Sequence, residues 1–338
     1  MLRNNAFDSI KLVMILLVVF GHLIEPLVDE NILIKTTYMF VYSFHIPVFI
    51  LIAGALTSPE MSYNYIQKNI DSLLIPFITF TILYEVLNIL STSTVSRYTL
   101  NLQPYWILWF LFSLFIWRII LPIIMSFRFP LLFSVIVSLV AGYIEDVGYF
   151  FGISRTIYFF PFFILGYQLK AYLTYKKPTL KLPNIFYITV LTLNAYIFWF
   201  FREVPYEWIY GSFSYKEIAP DLPYAFTFRL GLYLLSLTSS YAIIILMKNC
   251  RTKHSSYGQK SLYVYIWHGF VVKAIIWTGL IQLLGDTSST LAFVTLFIMA
   301  TVITLILSSN SVEKATSNLL LAPTKKLLLR KAHTKESD

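Results

Sequence analysis

Long apolar segments recur along nearly the whole chain, separated by short stretches that carry charges, prolines and glycines. Runs of about 20 apolar residues are long enough to cross the hydrocarbon core of a bilayer as helices. In lipid every backbone amide must be paired within its segment or in a closed barrel, and the alternating pattern of barrel strands is absent. The pattern therefore predicts an all-α integral membrane protein, a bundle of about ten transmembrane helices near residues 10–28, 38–57, 72–91, 104–125, 130–144, 156–175, 184–201, 224–247, 261–284 and 290–309.

Composition supports the same class. Of the 338 residues 57% are hydrophobic and 13% are charged, against about 25% charged in an ordinary soluble domain. The net charge of +9 is better explained by basic loops that fix membrane orientation than by nucleic-acid binding, so no nucleic-acid partner is expected. The single cysteine, Cys250, excludes an internal disulfide framework and a multi-cysteine metal site.

The distribution of charge predicts the orientation. Lys and Arg concentrate in the segments that share a side with the N-terminus, whereas Asp and Glu favour the opposite side. The positive-inside rule then predicts that both termini are cytoplasmic. The apolar stretch 12–20 is similar to a signal peptide, but no small-residue cleavage site follows it, so we predict a retained first helix. We expect a multi-pass protein surrounded by lipid in a bacterial-type plasma membrane, with a membrane domain at 1–310 and a basic cytoplasmic tail at 311–338.

The first predicted helix carries ionisable residues at membrane depth, where they are costly and commonly functional. Lys11 and His22 are eleven residues apart, which places them on nearly one face and about 16 Å apart along the helix axis. Asp8 lies on the same face. A basic group at the cytoplasmic mouth suits a phosphate, and a histidine deep in the membrane suits proton transfer. The alternative is a lysine that reaches the interface and a histidine bonded to a nearby carbonyl.

Further candidates lie on other predicted helices. His45, on the second, is expected to reach a depth similar to that of His22. Glu85, on the third, is expected in the outer half, where a carboxylate can orient a histidine or accept its proton. His45 also fits a hydrogen-bonded packing role, and we interpret His268 as a packing residue. We therefore take His22, His45 and Glu85 as the catalytic candidates.

Aromatic residues and the longest outer loop complete the candidate chemistry. Trp106 and Trp109 can stack on a sugar ring, although we interpret them first as interfacial belt residues. The outer loop near residues 202–222 combines aromatic and acidic side chains, a composition that can meet a sugar. The sequence has no zinc-binding spacing, P-loop, dinucleotide fingerprint or nucleophile elbow, so no metal is expected.

Several stretches together resemble one known family. FDSIKLVMILLVVFGH is similar to its first-helix pattern, with Asp8, Lys11 and His22 in place, and YSFHIPVFILIAGAL is similar to its second-helix block, with His45. Later blocks occur in the expected order, namely PYWILWFLFSLF, FPFFILGYQLK and GQKSLYVYIWHGF. Over about residues 1–280 the chain thus resembles the integral-membrane acyltransferase-3 family, in the branch of fucose 4-O-acetylase-like proteins.

The resemblance implies transfer of an acyl group, usually acetyl from cytoplasmic acetyl-CoA, to a hydroxyl of an extracytoplasmic or lipid-linked glycan. It also implies a reacting role for His22 and coenzyme A contact near Lys11. The chain departs from the family where Asn69 and Ser72 stand in place of the usual arginines, which leaves Lys68. The expected donor-binding residues are therefore Lys11, Asp8 and Lys68.

Other functions fit parts of the pattern. A transporter or flippase for a lipid-linked sugar or small metabolite also places polar residues at mid-membrane, but the chain lacks the internal repeats common in such proteins. A scaffold subunit of a polysaccharide export complex would need neither Lys11 nor His22. For an acyltransferase, the acceptor glycan and the choice between acetyl and succinyl stay open, and partners from polysaccharide biosynthesis are expected.

Overall fold

The computed structural model describes residues 5–58, 60–145, 148–174, 182–248 and 255–329, and every regular element in these ranges is helical. The α-helices are α1 (Asn5–Ile24), α2 (Ile32–Ala55), α3 (Tyr63–Asn69), α4 (Ile75–Thr92), α5 (Arg97–Leu100), α6 (Trp109–Ile124), α7 (Pro130–Ala141), α8 (Ile153–Gln168), α9 (Lys170–Thr174), α10 (Asn184–Phe200), α11 (Tyr215–Ile218), α12 (Ala225–Lys248), α13 (Ser255–Gly258), α14 (Ser261–Trp277), α15 (Leu280–Gly285), α16 (Ser289–Leu307), α17 (Asn310–Thr316) and α18 (Ala322–Leu328). Short 3₁₀ turns lie at Glu25–Leu27, Phe150–Gly152 and Tyr206–Ile209, and π turns lie at Ile70–Leu74 and Ser317–Leu321.

Six helical segments in the described ranges are long and apolar enough to cross a membrane: Asn5–Leu27, Ile32–Ala55, Tyr63–Thr92, Phe150–Gln168, Ala225–Lys248 and Ser289–Leu307. Shorter apolar helices occupy Trp109–Ile124, Pro130–Ala141, Asn184–Phe200 and Ser261–Trp277, where the sequence predicts the remaining spans. The all-α class is confirmed, and the apolar helices agree with a membrane protein. The count of ten spans and the cytoplasmic placement of both termini stay predictions.

Helices α1 and α2 form the centre of the bundle. Helix α1 packs against α2, α12, α13, α14 and α16, while α2 also packs against α8, α10 and α12. Large side chains on both helices are fully buried, including Phe20 and Tyr38. The side chain of Asn31 accepts hydrogen bonds from the amides of Leu33 and Ile34, which fixes the start of α2. The two helices that carry His22 and His45 are thus packed on several sides by other helices.

Two glycines allow α2 and α8 to approach at backbone distance. A Cβ atom on Gly54 would overlap the carbonyl oxygen of Phe163, and one on Gly166 would overlap the carbonyl oxygen of Leu51. Small residues permit such crossings in membranes, where helix association depends on close packing. The backbones of α2 and α8 are therefore in direct contact at these two glycines.

The predicted span 104–125 begins later than expected, at Trp109. Residues Leu102 and Trp106 adopt positive φ angles of 50° and 26°, which a helix cannot contain. The carbonyl of Leu102 accepts from the amide of Phe151 at 3.0 Å instead of from its own helix. The chain before α6 is therefore an irregular loop tied to a distant segment, and it carries Trp106 inward.

The third predicted span is longer than the pattern 72–91 indicates. Helix α3 continues through the π turn Ile70–Leu74 into α4, so the helical segment runs from Tyr63 to Thr92. Pro76, in the first turn of α4, has no amide hydrogen to donate. The wider turn before it lets the chain pass this proline without ending the helix.

The segment after residue 310, predicted as a basic tail, is helical as far as Leu328 and contacts the bundle. The indole nitrogen of Trp267 on α14 donates to Thr316 Oγ1 at 2.8 Å. Lys325 on α18 pairs with Asp71 at 2.6 Å. Helices α17 and α18 thus fold back against the same end of the bundle at which α3 and α4 meet. Residues 330–338 lie outside the described residues.

Candidate active site

A cavity of about 540 Å³ opens at the end of the bundle where α1 ends and α2 begins. We name it the outer cavity, because charge distribution predicts that this end faces outward. Its wall combines the ends of α1 and α2 with three distant segments, the loop before α6, the start of α8 and the loop before α11. A volume of about 300–1,000 Å³ is typical of sites for small molecules.

His22 and Glu25 form a pair on the wall of this cavity. They are three residues apart, so they lie on one helical face, and His22 Nδ1 is 2.9 Å from Glu25 Oε2. With the Glu25 carboxylate as acceptor, this contact favours the neutral tautomer of His22 that has its proton on Nδ1 and its lone pair on Nε2. The hydroxyl of Tyr42 lies 3.3 Å from the same Nδ1. The side chain of His22 is 16% exposed, which leaves it reachable from the cavity.

Two more histidines lie close to His22. His45 lines the outer cavity together with His22, in agreement with its predicted depth. Its Nδ1 donates to the carbonyl of Val41 at 2.7 Å. His268 is fully buried and stacks on His22 with ring centroids 5.4 Å apart. Its Nδ1 donates to the carbonyl of Val264, and its Nε2 is buried without a hydrogen-bond partner. The interpretation of His268 as a simple packing residue overlooked this unpaired nitrogen.

Among the described residues, Glu85 bonds no histidine. Its carboxylate accepts from the amide of Ser96 at 2.9 Å and from the hydroxyl of Thr99 at 2.7 Å, and it does not line the outer cavity. It therefore holds the start of α5. The carboxylate beside His22 is Glu25, which the sequence reasoning missed although the spacing of three residues on a helix was available as a signal.

The residues predicted to bind the donor lie away from the outer cavity. Lys11 pairs with Asp8 at 2.6 Å, and the side chain of Asp8 is 6% exposed. Lys68 is exposed near the end of α3. None of the three lines the outer cavity. An ammonium group has three donors, so the pairing with Asp8 leaves Lys11 able to bind a phosphate.

A half-buried arginine adds a cation beside Asn69, the residue that follows Lys68. Arg118 on α6 donates from Nη1 to Asn69 Oδ1 at 3.0 Å, and its Nε is buried without a partner. Asn69 stands where the resemblance expects an arginine, so a neighbouring helix brings a guanidinium to that position. Spacing along one helix could not have revealed this contact between helices.

Aromatic rings form much of the outer cavity. Trp106 lies 4.8 Å from the His22 ring, and Trp109 also lines the wall. The structure thus corrects the interpretation of both tryptophans as belt residues, because the loop before α6 turns them toward the cavity. From the long outer loop, Tyr210 bonds the hydroxyl of Tyr38 at 2.6 Å. The loop expected to meet a sugar does contribute to this wall.

The charged side chains among the described lining residues are Glu25, Arg97 and Arg155. Burial, and then the nearby Glu25 carboxylate, raise the pKa of the Tyr210 hydroxyl above its ordinary value, so this ring stays neutral at physiological pH. In the part of the chain that the structure describes, His, Cys, Asp and Glu side chains form no group of three that could hold a metal ion.

Comparison with known proteins gives the family of this fold. The family model described as an acyltransferase domain, that of the acyltransferase-3 family, matches residues 4–309. Nodulation protein NolL of Sinorhizobium fredii is 27% identical over 129 residues, which cover 34% of this chain and 35% of that protein. Nodulation protein NolL of Mesorhizobium japonicum is 21% identical over 208 residues, 58% of this chain and 55% of that protein. The matches thus span between about a third and just over half of these relatives, and no solved structure matches.

Proposed function

The chain belongs to the acyltransferase-3 family, and from this premise we propose that it is a membrane-bound O-acyltransferase. In this proposal it moves an acyl group, acetyl by preference, from cytoplasmic acyl-CoA to a hydroxyl of a cell-surface or lipid-linked polysaccharide. The observation that supports it most is the His22–Glu25 pair on the wall of an aromatic cavity. Placement in the fucose 4-O-acetylase-like branch stays a prediction.

His22 serves as the general base of the proposed reaction. Its Nε2 takes the proton of the acceptor hydroxyl while the hydroxyl oxygen attacks the thioester carbonyl carbon. The new carbon–oxygen bond forms, the carbon–sulfur bond breaks, and the proton passes to the departing thiolate. The products are an O-acyl ester and free coenzyme A. Glu25, on Nδ1 of the ring, holds the productive tautomer and stabilises the transient imidazolium.

His45 and His268 supply two further lone pairs near His22. In both rings Nδ1 donates to a backbone carbonyl one turn earlier, so Nε2 is the free acceptor. A buried acceptor without a partner costs free energy, and a substrate hydroxyl or amide N–H would satisfy it. We assign His45, which lines the outer cavity, to substrate orientation, and the fully buried His268 to holding the ring of His22. Glu85 holds the loop that leads to Arg97 and Trp106.

The acyl donor enters, in this proposal, from the opposite end of α1. Phosphate groups of acetyl-CoA bind near Lys11 and Lys68, with Arg118, which bonds Asn69 next to Lys68, as a further cation. Lys11 and His22 are about 16 Å apart along α1, a length of the order of an extended coenzyme A arm. The thioester would then reach His22 from inside while the glycan reaches it from outside, in a multi-pass protein of a bacterial-type plasma membrane.

Release of free coenzyme A tests the enzyme directly. The purified protein in sealed vesicles receives acetyl-CoA on one side and cell-envelope glycan on the other, and free thiol is measured with a thiol-reactive dye. We expect thiol release that requires both substrates and appears only when acetyl-CoA faces the basic end of the bundle. Movement of a labelled sugar across the vesicle without thiol release would instead identify a transporter.

A further inference from the structure

The wall of the outer cavity away from His22 carries positive charge that the proposed reaction does not use. Among the described residues that line it, the charged ones are the two arginines Arg97 and Arg155 and one carboxylate, Glu25. Glu25 is already bonded to His22. The two guanidinium groups are therefore left to face whatever occupies the cavity.

Arg155 is held in place by one hydrogen bond and three aromatic rings. Its Nε donates to the hydroxyl of Ser212, and its guanidinium carbon lies 5.2 Å from the ring centre of Trp109, 5.5 Å from Tyr149 and 5.9 Å from Tyr210. Its terminal nitrogens bond none of the described residues, and no described carboxylate pairs with it. A planar guanidinium fixed by stacking, with its outer edge free, matches the two oxygens of a carboxylate or phosphate.

Aromatic faces connect this arginine to the histidine. The ring of Tyr42 is 6.1 Å from that of His22 and 6.0 Å from that of Tyr210, which lies beside Arg155. Trp106, which contacts His22, lines the same cavity. Flat aromatic surfaces with hydroxyl groups suit the faces of a sugar ring, since they combine apolar contact with hydrogen bonding.

We propose that the outer cavity binds an acidic saccharide, with its carboxylate or phosphate on Arg155 and its sugar ring on the aromatic wall toward His22. Arg97 supplies a second positive charge to the same anion or to its approach. Identification of this saccharide as the acyl acceptor rests on the proposed function; the binding itself does not. Anchoring the anion at Arg155 fixes which hydroxyl reaches His22, so the arginine sets the position that is acylated.

The binding of matched sugar probes tests the subsite independently of acyl transfer. The full chain in lipid nanodiscs is titrated with glucuronate, glucose 1-phosphate and glucose, and its tryptophan fluorescence is followed, to which Trp106 and Trp109 in the cavity wall contribute. We expect at least one acidic probe to bind about 10- to 100-fold more tightly than glucose, because charge-assisted hydrogen bonds to Arg155 are added. The tighter acidic probe identifies a carboxylate or a phosphate as the anion.

Variants assign the preference to Arg155. We expect Arg155→Gln to remove the preference for acidic probes over glucose. Arg155→Lys keeps the charge but loses the paired donors, so it retains a weaker preference. Arg97→Gln weakens the binding of the acidic probes without changing the binding of glucose. The matched control is Arg202→Gln, since Arg202 is an outer arginine that pairs with Glu203 and does not line the cavity. Equal binding of glucose and both acidic probes, or a full acidic preference in Arg155→Gln, overturns the proposal.

A further comparison separates this proposal from the enzymatic one. His22→Ala is expected to keep the acidic preference while it loses acyl transfer. If the acidic preference depends on Arg155 but the protein releases no coenzyme A, the subsite is supported and the acyltransferase function is rejected. Acyl transfer to a glycan with no such preference would reject the subsite alone.

Discussion

Glu25 shows how a small geometric fact changes the chemistry assigned to a residue. Depth in the membrane and spacing from Lys11 were enough to single out His22 from sequence. In the proposed reaction, the partner that sets which nitrogen acts as the base is Glu25, three residues further along the chain and 2.9 Å from His22 Nδ1. Helix depth alone predicts Glu85 as a carboxylate partner for a histidine. Depth does not say which face a side chain occupies, and Glu85 bonds Ser96 and Thr99.

Glu25→Gln is expected to lower kcat for acyl transfer. The amide keeps the size of the side chain but removes the charge that stabilises the His22 imidazolium, so we expect a loss of about 10- to 100-fold. Steady-state kinetics with acetyl-CoA and the acceptor glycan measure this. Glu203→Gln, at an outer carboxylate that is 86% exposed, is the control and should leave kcat unchanged. Wild-type kcat in Glu25→Gln would remove Glu25 from the mechanism.

His268→Phe is expected to reduce transfer by about 10-fold, because phenylalanine retains a flat ring beside His22 and loses the buried Nε2 acceptor. Correct folding is checked by thermal unfolding in detergent. His268→Asn, which keeps a polar acceptor, should recover part of the activity. If His268→Phe transfers acyl groups at the wild-type rate, the residue only packs against His22.

At the scale of elements, long apolar runs predicted most helices, because burial in lipid demands continuous hydrogen-bonded helix. The departures occur where tertiary contacts replace helical bonds. The loop before α6 follows distant partners, and the π turn Ile70–Leu74 adapts α4 to Pro76. The periodicity of apolar residues predicts neither the loop nor the π turn, since both depend on contacts with other segments. The role of Gly54 was foreseeable, because a small residue on a buried helix marks close approach.

The α2–α8 crossing gives a matched pair of glycine substitutions. Gly54→Ala places a methyl group against the Phe163 carbonyl, so we expect a loss of about 1–3 kcal/mol in the free energy of unfolding. Gly231→Ala on α12 meets no atom within 4 Å and should stay within about 0.5 kcal/mol of wild type. Thermal unfolding in a single detergent compares the two. Equal stability of the variants would show that the two helices are not in backbone contact.

At the scale of the whole molecule, the site is assembled from segments far apart in the chain. The end of α1, the loop before α6, the start of α8 and the loop before α11 meet only in the folded bundle. Sequence reasoning named His22 and His45 and proposed a sugar-binding outer loop, but it could not join them to Trp109 and Arg155. The residue pattern of one segment does not predict which distant segment packs against it. Orientation in the membrane likewise stays a prediction from charge.

Acyl transfer that depends on His22 is the central claim. Inverted membrane vesicles holding the full chain receive radiolabelled acetyl-CoA on the exposed cytoplasmic face, and label in cell-envelope glycan is measured for wild type and His22→Ala. We expect label with wild type and a loss of about 10²- to 10⁴-fold in the variant, the usual contribution of a general base. Equal labelling by a correctly inserted His22→Ala, or no label from folded wild-type protein with any envelope glycan, would contradict the account.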